Sequence, residues 1–177
     1  SALRRSIAQV REYQTRILPA PQPPLTRPGF EAGLRWTPLA SAGLYIPGGK
    51  ASYPSTLVML ALPALVAGVS RLVVCTPPSP HFSDAVLATA HELGLAEMYR
   101  VGGVAAVAAM ALGTATIRPV DKILGPGNEY VQLAKRAVSG AVGVDGYLGP
   151  SEVLVLADDS ADPAAIASYS PLETAKG

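Results

Sequence analysis

Short apolar runs alternate along this chain with segments of helical spacing, and together these two patterns predict a regular succession of strands and helices. Short, continuous apolar runs bounded by Gly or Pro predict strands at residues 34–36, 44–46, 71–75, 97–101, 122–124 and 152–157. Segments with helical spacing predict helices at residues 55–67, 83–93, 104–112 and 128–138. This alternation favours an α/β fold with an open, mainly parallel sheet and helices on both faces.

The first 29 residues follow a different pattern from the rest of the chain. Residues 1–18 place Leu3, Ile7 and Val10 on one side of an amphipathic helix and arginines on the other. Five prolines in residues 19–29 remove backbone donors and predict a stiff, extended arm. We therefore expect two parts, a helix and proline-rich arm at 1–29 and a main domain at 30–177. The helix should lie outside the main core and cover either the main domain or another subunit.

Composition and charge exclude several classes of protein. A net charge of +1 without a basic stripe argues against nucleic acid as a partner. The longest apolar run contains Pro63 and is too short for a membrane span, so we expect no membrane association. The single cysteine, Cys75, cannot form an internal disulfide, and its valine neighbours indicate a buried thiol. With no hydrophobic secretion signal at the N-terminus, these features indicate a cytoplasmic protein.

The stretch DKILGPGNEYVQLAKRA, residues 121–137, predicts a buried strand that runs through a glycine-rich turn into a helix. The turn 125–127 cannot continue a strand, and Asn128 stands at the position of a helix N-cap. The backbone amides of such a turn could hold a phosphate, a carboxylate or a dinucleotide. The alternative is a plain strand-to-helix connection closed by an Asn cap.

The helix after this turn has a predicted apolar face and a basic end. Tyr130, Leu133, Ala134 and Ala137 recur at steps of three and four residues, which predicts that they pack inward. Lys135 falls near the carbonyl end of the helix, where a positive charge suits the helix dipole.

Turns of small residues follow four of the predicted strands, at residues 47–49, 77–78, 102–103 and 125–127. The carboxyl ends of parallel strands share one edge of the sheet, where the ligand crevice of such folds lies. None of the four turns matches the common dinucleotide fingerprint G-x-G-x-x-G. The sequence therefore predicts a ligand crevice without an ordinary fingerprint.

Four sequence blocks, in order, resemble the histidinol dehydrogenase family. They are GLYIPGGKASYPSTLVMLALPALVAGV (43–69), VGGVAAVAAMALGT (101–114), VDKILGPGNEYVQLAKRAV (120–138) and GPSEVLVLAD (149–158). The resemblance implies a Rossmann-like NAD-binding region within a homodimeric enzyme. It also implies a small-molecule alcohol substrate, since this family oxidises L-histidinol to L-histidine through the aldehyde with NAD and zinc.

The resemblance also implies roles for individual residues. Tyr45 and Asn128 match positions that contact NAD in the family, and Ser151 matches a residue that contacts substrate. Ala105 stands where the family has an NAD-contacting glutamine, so one amide contact is lost. From the residues alone, Tyr45 could instead pack against a helix, and Ser151 could cap a turn.

The family's zinc ligands and acid–base residues have no match in this chain. The family places the first of them in a Q-A-E-H run, whereas Ser168 is here followed by YSPLETAKG. We therefore expect no metal ligand and no catalytic residue in this chain, which suggests a truncated or frameshifted form. His81 and His91 fit no metal motif and are expected to be solvated or capping residues.

Two other functions remain open from the sequence. The run GVDGYLGPSE and Lys50 depart from the usual family pattern and suggest a relative that oxidises another alcohol, such as sulfopropanediol. A catalytically inactive remnant that still binds a nucleotide is the second alternative.

Overall fold

A five-stranded parallel sheet lies at the centre of the larger of two structural units. The computed structural model describes residues 1–48, 53–79, 83–146, 155–164 and 166. It divides the chain into Ser1–Tyr147 and Leu148–Gly177. In spatial order the strands are β5 (Glu97–Tyr99), β4 (Arg71–Cys75), β3 (Ser41–Tyr45), β6 (Lys122–Leu124) and β7 (Gly143–Val144). The predicted α/β fold with a parallel sheet is confirmed.

Helices cover both faces of this sheet. The helices α1 (Ala2–Arg16), α2 (Pro54–Val66) and α3 (Asp84–Glu92) lie with one apolar cluster, and α4 (Gly103–Leu112) and α5 (Glu129–Val138) lie with the other. Successive strand residues point to opposite faces, so Leu44 and Val74 join the first cluster, whereas Tyr45 and Val73 join the second. Because both faces are buried, the strands consist almost entirely of apolar residues.

Helix α1 packs on the outside of the main domain. Leu3, Ile7 and Val10 contact the first apolar cluster, although no residue of the helix is fully buried. Arg4 forms two hydrogen bonds with the carboxylate of Glu92 on α3, at 2.9 and 2.7 Å. The apolar face of α1 thus packs on the main domain. The sequence had allowed packing on either the main domain or another subunit.

The proline-rich arm contains a hairpin that its sequence did not lead us to expect. Strands β1 (Leu25–Arg27) and β2 (Phe30–Ala32) pair antiparallel around Pro28 and Gly29. Gly29 has φ of +73°, a left-handed conformation that suits the turn. The Pro-Gly turn reverses the chain, so the two flanks of the arm pair with each other.

Two predicted strands differ from the structure. Residues 34–36 form no strand, and Leu34 and Trp36 are exposed without a pairing partner in the described chain. Of the predicted strand 152–157, residues 152–154 lie outside the described residues, and 155–157 have no regular structure. β7 was not predicted, because two residues are too few to show a periodicity.

Among the described residues of the smaller unit, 159–160 form a turn, and residues 163, 164 and 166 are helical. The side chain of Asp158 accepts hydrogen bonds from the backbone and hydroxyl of Ser160 at 3.0 and 2.6 Å, which lower the pKa of Asp158. Asp162 accepts a hydrogen bond from the backbone N–H of Ala164 at 2.9 Å. Across the described part of the whole chain, no helix has the length and apolarity to cross a membrane.

Candidate cofactor site at the carboxyl edge of the sheet

The carboxyl ends of β3 and β6 lie side by side at the point where the chain changes direction across the sheet. Numbered by their own order in the chain, the five strands run 3-2-1-4-5, with β3 first and β6 fourth. After β3 the chain enters α2 on one face, and after β6 it enters α5 on the other. In folds of this kind the ligand crevice lies at such a switch point, on the carboxyl edge where the sequence predicted it.

Glycines allow the turns at this edge to pack closely. A Cβ atom on Gly48, after β3, would lie 2.9 Å from the Cβ of Pro77, which follows β4. A Cβ on Gly102, after β5, would lie 2.8 Å from the Cα of the same proline. Three turns therefore meet around Pro77. Two of them can pack this closely only because Gly48 and Gly102 have no side chain.

Gly125 makes the closest approach at the switch point itself. It has φ of +127°, and a Cβ atom there would collide with the carbonyl oxygen of Tyr45. The backbones that leave β6 and β3 are thus in direct contact. Any other residue at position 125 would push the two strand ends apart.

Asn128 begins α5 at this edge. Its Oδ1 accepts a hydrogen bond from the backbone N–H of Val131 at 3.1 Å, which confirms the predicted N-cap. The side chain is exposed, and its amide N–H groups find no acceptor among the described residues. The same side chain can therefore cap the helix through oxygen and donate to a ligand through nitrogen.

Tyr45 connects the switch point to the beginning of α4. Its ring is buried in the second apolar cluster, and its hydroxyl accepts a hydrogen bond from the backbone N–H of Gly103 at 3.1 Å. Packing against a helix, the alternative that the residues alone allowed, therefore involves α4 and not α2, the next helix along the chain. Contact between Tyr45 and NAD stays a prediction, and Ser151 lies outside the described residues.

The predicted apolar face of α5 is wrong. Tyr130 and Leu133 are 61% and 60% exposed, and Ala137 is also exposed. Of the predicted face only Ala134 is buried, and Val131 and Lys135 are buried with it. The helix carries two apolar stripes, and packing against α4 and the sheet selects the one that contains Lys135.

Lys135 and Asp145 both bind the backbone of Gly125. The sequence did not predict these contacts. The Nζ atom of Lys135, whose side chain is 0% exposed, donates to the carbonyl oxygen of Gly125 and lies 2.6 Å from Oδ1 of Asp145. The other carboxylate oxygen accepts the backbone N–H of Gly125 at 2.7 Å. The available signal was a lysine inside the stripe of Val131 and Ala134.

Polar side chains at the opposite, amino edge bond to each other. The backbone N–H and the hydroxyl of Ser41 on β3 donate hydrogen bonds to Oδ2 of Asp121, at 2.7 and 3.0 Å. Arg71 on β4 forms two hydrogen bonds with Glu97 on β5, at 2.9 and 3.0 Å, and they lower the pKa of Glu97. These groups join strands and leave the carboxyl edge as the candidate site.

Other reactive side chains do not add to this site. Burial raises the pKa of the Cys75 thiol to about 11, which agrees with the predicted buried thiol. His91 is exposed on α3, and His81 lies outside the described residues. No three His, Cys, Asp or Glu side chains of the described chain are grouped to hold a metal ion. The described residues therefore do not fit a zinc site.

The strand order and the helix N-terminus at the switch point are those of Rossmann-type nucleotide-binding domains. Comparison with known proteins identifies the family within this class. The family model for histidinol dehydrogenase matches residues 1–169. The chain belongs to the histidinol dehydrogenase family.

Relatives in bacteria and archaea share about half of the residues. The chain is 52% identical over 161 residues to histidinol dehydrogenase from Caulobacter vibrioides, covering 91% of this chain and 37% of the relative. It is 52% identical over 168 residues to the enzyme from Methanothermobacter thermautotrophicus, covering 94% of this chain and 39% of the relative. The chain thus spans less than two fifths of the length of either relative.

A solved structure agrees with this relationship. The crystal structure of histidinol dehydrogenase from Elizabethkingia anophelis superposes with a TM-score of 0.86 at 36% identity. The match covers 97% of this chain and 40% of that protein.

Proposed function

We propose that this chain supplies the NAD-binding part of a histidinol dehydrogenase, an enzyme that oxidises L-histidinol to L-histidine through the aldehyde. The observation that carries the proposal is the β3–β6 switch point, in a chain half identical to histidinol dehydrogenases over more than nine tenths of its length. The reported relatives bear that name, which does not favour another alcohol such as sulfopropanediol or an inactive remnant.

The residues at the carboxyl edge fit a dinucleotide. Close approach of backbone to ligand requires small residues, and the turn 125–128 provides them beside the N-terminus of α5. The side-chain amide of Asn128 would donate to the cofactor, and Tyr45 would contact it beside the start of α4. When bound, NAD would supply the hydride acceptor for oxidation of the alcohol. The chain's own residues bind and orient the cofactor.

The remaining expectations follow from the family and are part of the same proposal. Ser151 would contact the small-molecule alcohol, and the enzyme would be a cytoplasmic homodimer. Residues 1–29 would form a helix and arm attached to the NAD-binding region at 30–177. The described residues do not fit zinc, so their part in the reaction would be to bind the cofactor.

Calorimetric titration of the purified chain with NAD tests the proposal. We expect saturable binding that is lost in Gly125→Ala, because a Cβ there collides with the Tyr45 carbonyl. Gly140→Ala is the matched control, since a Cβ at Gly140 meets no atom within 4 Å. Absence of NAD binding by wild-type protein with a cooperative thermal transition would contradict the proposal.

A further inference from the structure

The ion pair between Lys135 and Asp145 lies directly beneath the turn that begins at Gly125. Lys135 projects from α5, and Asp145 follows β7, so the two residues come from elements on either side of the turn. Between them they bind both polar groups of Gly125: the carboxylate accepts its N–H, and the ammonium donates to its carbonyl oxygen. The backbone of one glycine is thus held at both of its hydrogen-bonding groups.

Gly125 follows the last residue of β6, so contacts outside the strand must help to fix its conformation. Glycine loses more backbone freedom on ordering than any other residue, and φ of +127° is only one of the conformations open to it. The strand ladder does not hold it, because β6 ends at Leu124. The ion pair therefore supplies the directional contacts that select one turn geometry.

Burial of a lysine also lowers the stability of the fold unless specific contacts offset the desolvation of its ammonium group. Removing an ammonium group from water carries a large desolvation penalty, and an apolar residue could fill the same volume without it. Lys135 is completely buried within a helix face that otherwise carries Val131 and Ala134. Its two contacts, Asp145 and the Gly125 carbonyl, both lie at the proposed cofactor site.

We propose that Lys135 and Asp145 are positioning residues that hold the Gly125 peptide, and with it the turn to Asn128, in the geometry that binds the cofactor. The inference rests on the proposed function for the identity of that cofactor, NAD. Neither residue needs to touch the cofactor. Each residue acts through the backbone of Gly125. Substituting either residue should therefore weaken cofactor binding more than an equally destabilising substitution elsewhere in the domain.

The test compares Lys135→Met and Asp145→Asn with Arg71→Met, all in the full chain. Arg71→Met is the matched control because it breaks the Arg71–Glu97 ion pair at the opposite edge. Three quantities are measured: the melting temperature, the affinity for NAD by calorimetry, and the exchange rate of the Gly125 amide proton by NMR. Asp145→Asn removes the negative charge that pairs with Lys135 and weakens the acceptor of the Gly125 N–H, and it serves if Lys135→Met does not fold.

We expect both site variants to bind NAD at least about tenfold more weakly and to exchange the Gly125 amide at least about tenfold faster than wild type. Arg71→Met should lower the melting temperature without changing the other two quantities. Unchanged Gly125 exchange in the site variants, or an equal loss of NAD affinity in Arg71→Met, would overturn the inference. If wild-type protein does not bind NAD, the proposed function fails, and the amide exchange alone decides whether the pair holds the turn.

Discussion

Asn128 caps α5 through its side-chain oxygen, and the proposed cofactor contact would use its nitrogen, so substitution can separate the two roles. Its Oδ1 accepts the backbone N–H of Val131 at 3.1 Å, whereas its amide nitrogen is free for a ligand within the described structure. Asp and Ser cap helices about as well as Asn, but neither carries an amide donor. Ala removes both functions. The series Asp, Ser and Ala at this position therefore distinguishes the cap from the ligand contact.

The expected magnitudes follow from these contacts. Asn128→Ala should lower the free energy of unfolding by about 1 kcal/mol, the usual cost of a lost N-cap. Asn128→Ser should leave it within a few tenths of a kcal/mol, and Asn128→Asp should raise it slightly, because a carboxylate suits the helix dipole. All three should bind NAD roughly tenfold or more weakly, since a hydrogen bond to a charged group contributes about 1.5–3 kcal/mol.

Urea unfolding and calorimetric titration with NAD measure the two effects on the same preparations. Asn128→Asp should show the weakest binding, because its charge also repels the pyrophosphate. Wild-type affinity in Asn128→Ser would show that the side chain is only a cap, and would refute the assignment of Asn128 to the cofactor.

Three further predictions concern other parts of the domain. Ala105 is exposed in the first turn of α4, and Ala105→Gln, which restores the family residue, should tighten NAD binding about fivefold in the same titration. The thiol of Cys75, with its pKa raised to about 11, should resist iodoacetamide at about pH 8 until urea unfolds the chain, as followed by intact mass. Because the Arg71 guanidinium lowers the pKa of Glu97 below the ordinary 4.5, this carboxylate stabilises the fold above that pH. As the pH falls from about 5 to about 3, the free energy of unfolding should therefore fall more steeply in wild type than in Arg71→Met; equal slopes would contradict this.

Local features of the sequence were sufficient for the elements and for the chemistry of the turn. Strands β4 and β6 have the predicted bounds, because short apolar runs closed by Pro or Gly have few alternatives. The cap at Asn128 could be predicted because capping needs only the residue itself and the backbone three positions later. The family blocks lie in these same local segments.

The orientation of α5 and the order of the strands required the tertiary structure. A hydrophobic period cannot choose between two apolar stripes on one helix, and only packing placed Lys135 inward and left Tyr130 and Leu133 exposed. Asp145 becomes its partner because β7 pairs with β6, a contact between residues distant in sequence. The sequence alone therefore determined the alternation of elements, the capped helix and the glycine turns, each of which depends on neighbouring residues. Only the fold decided which strand ends meet and which charge lies beneath the turn, because both depend on contacts across the sheet.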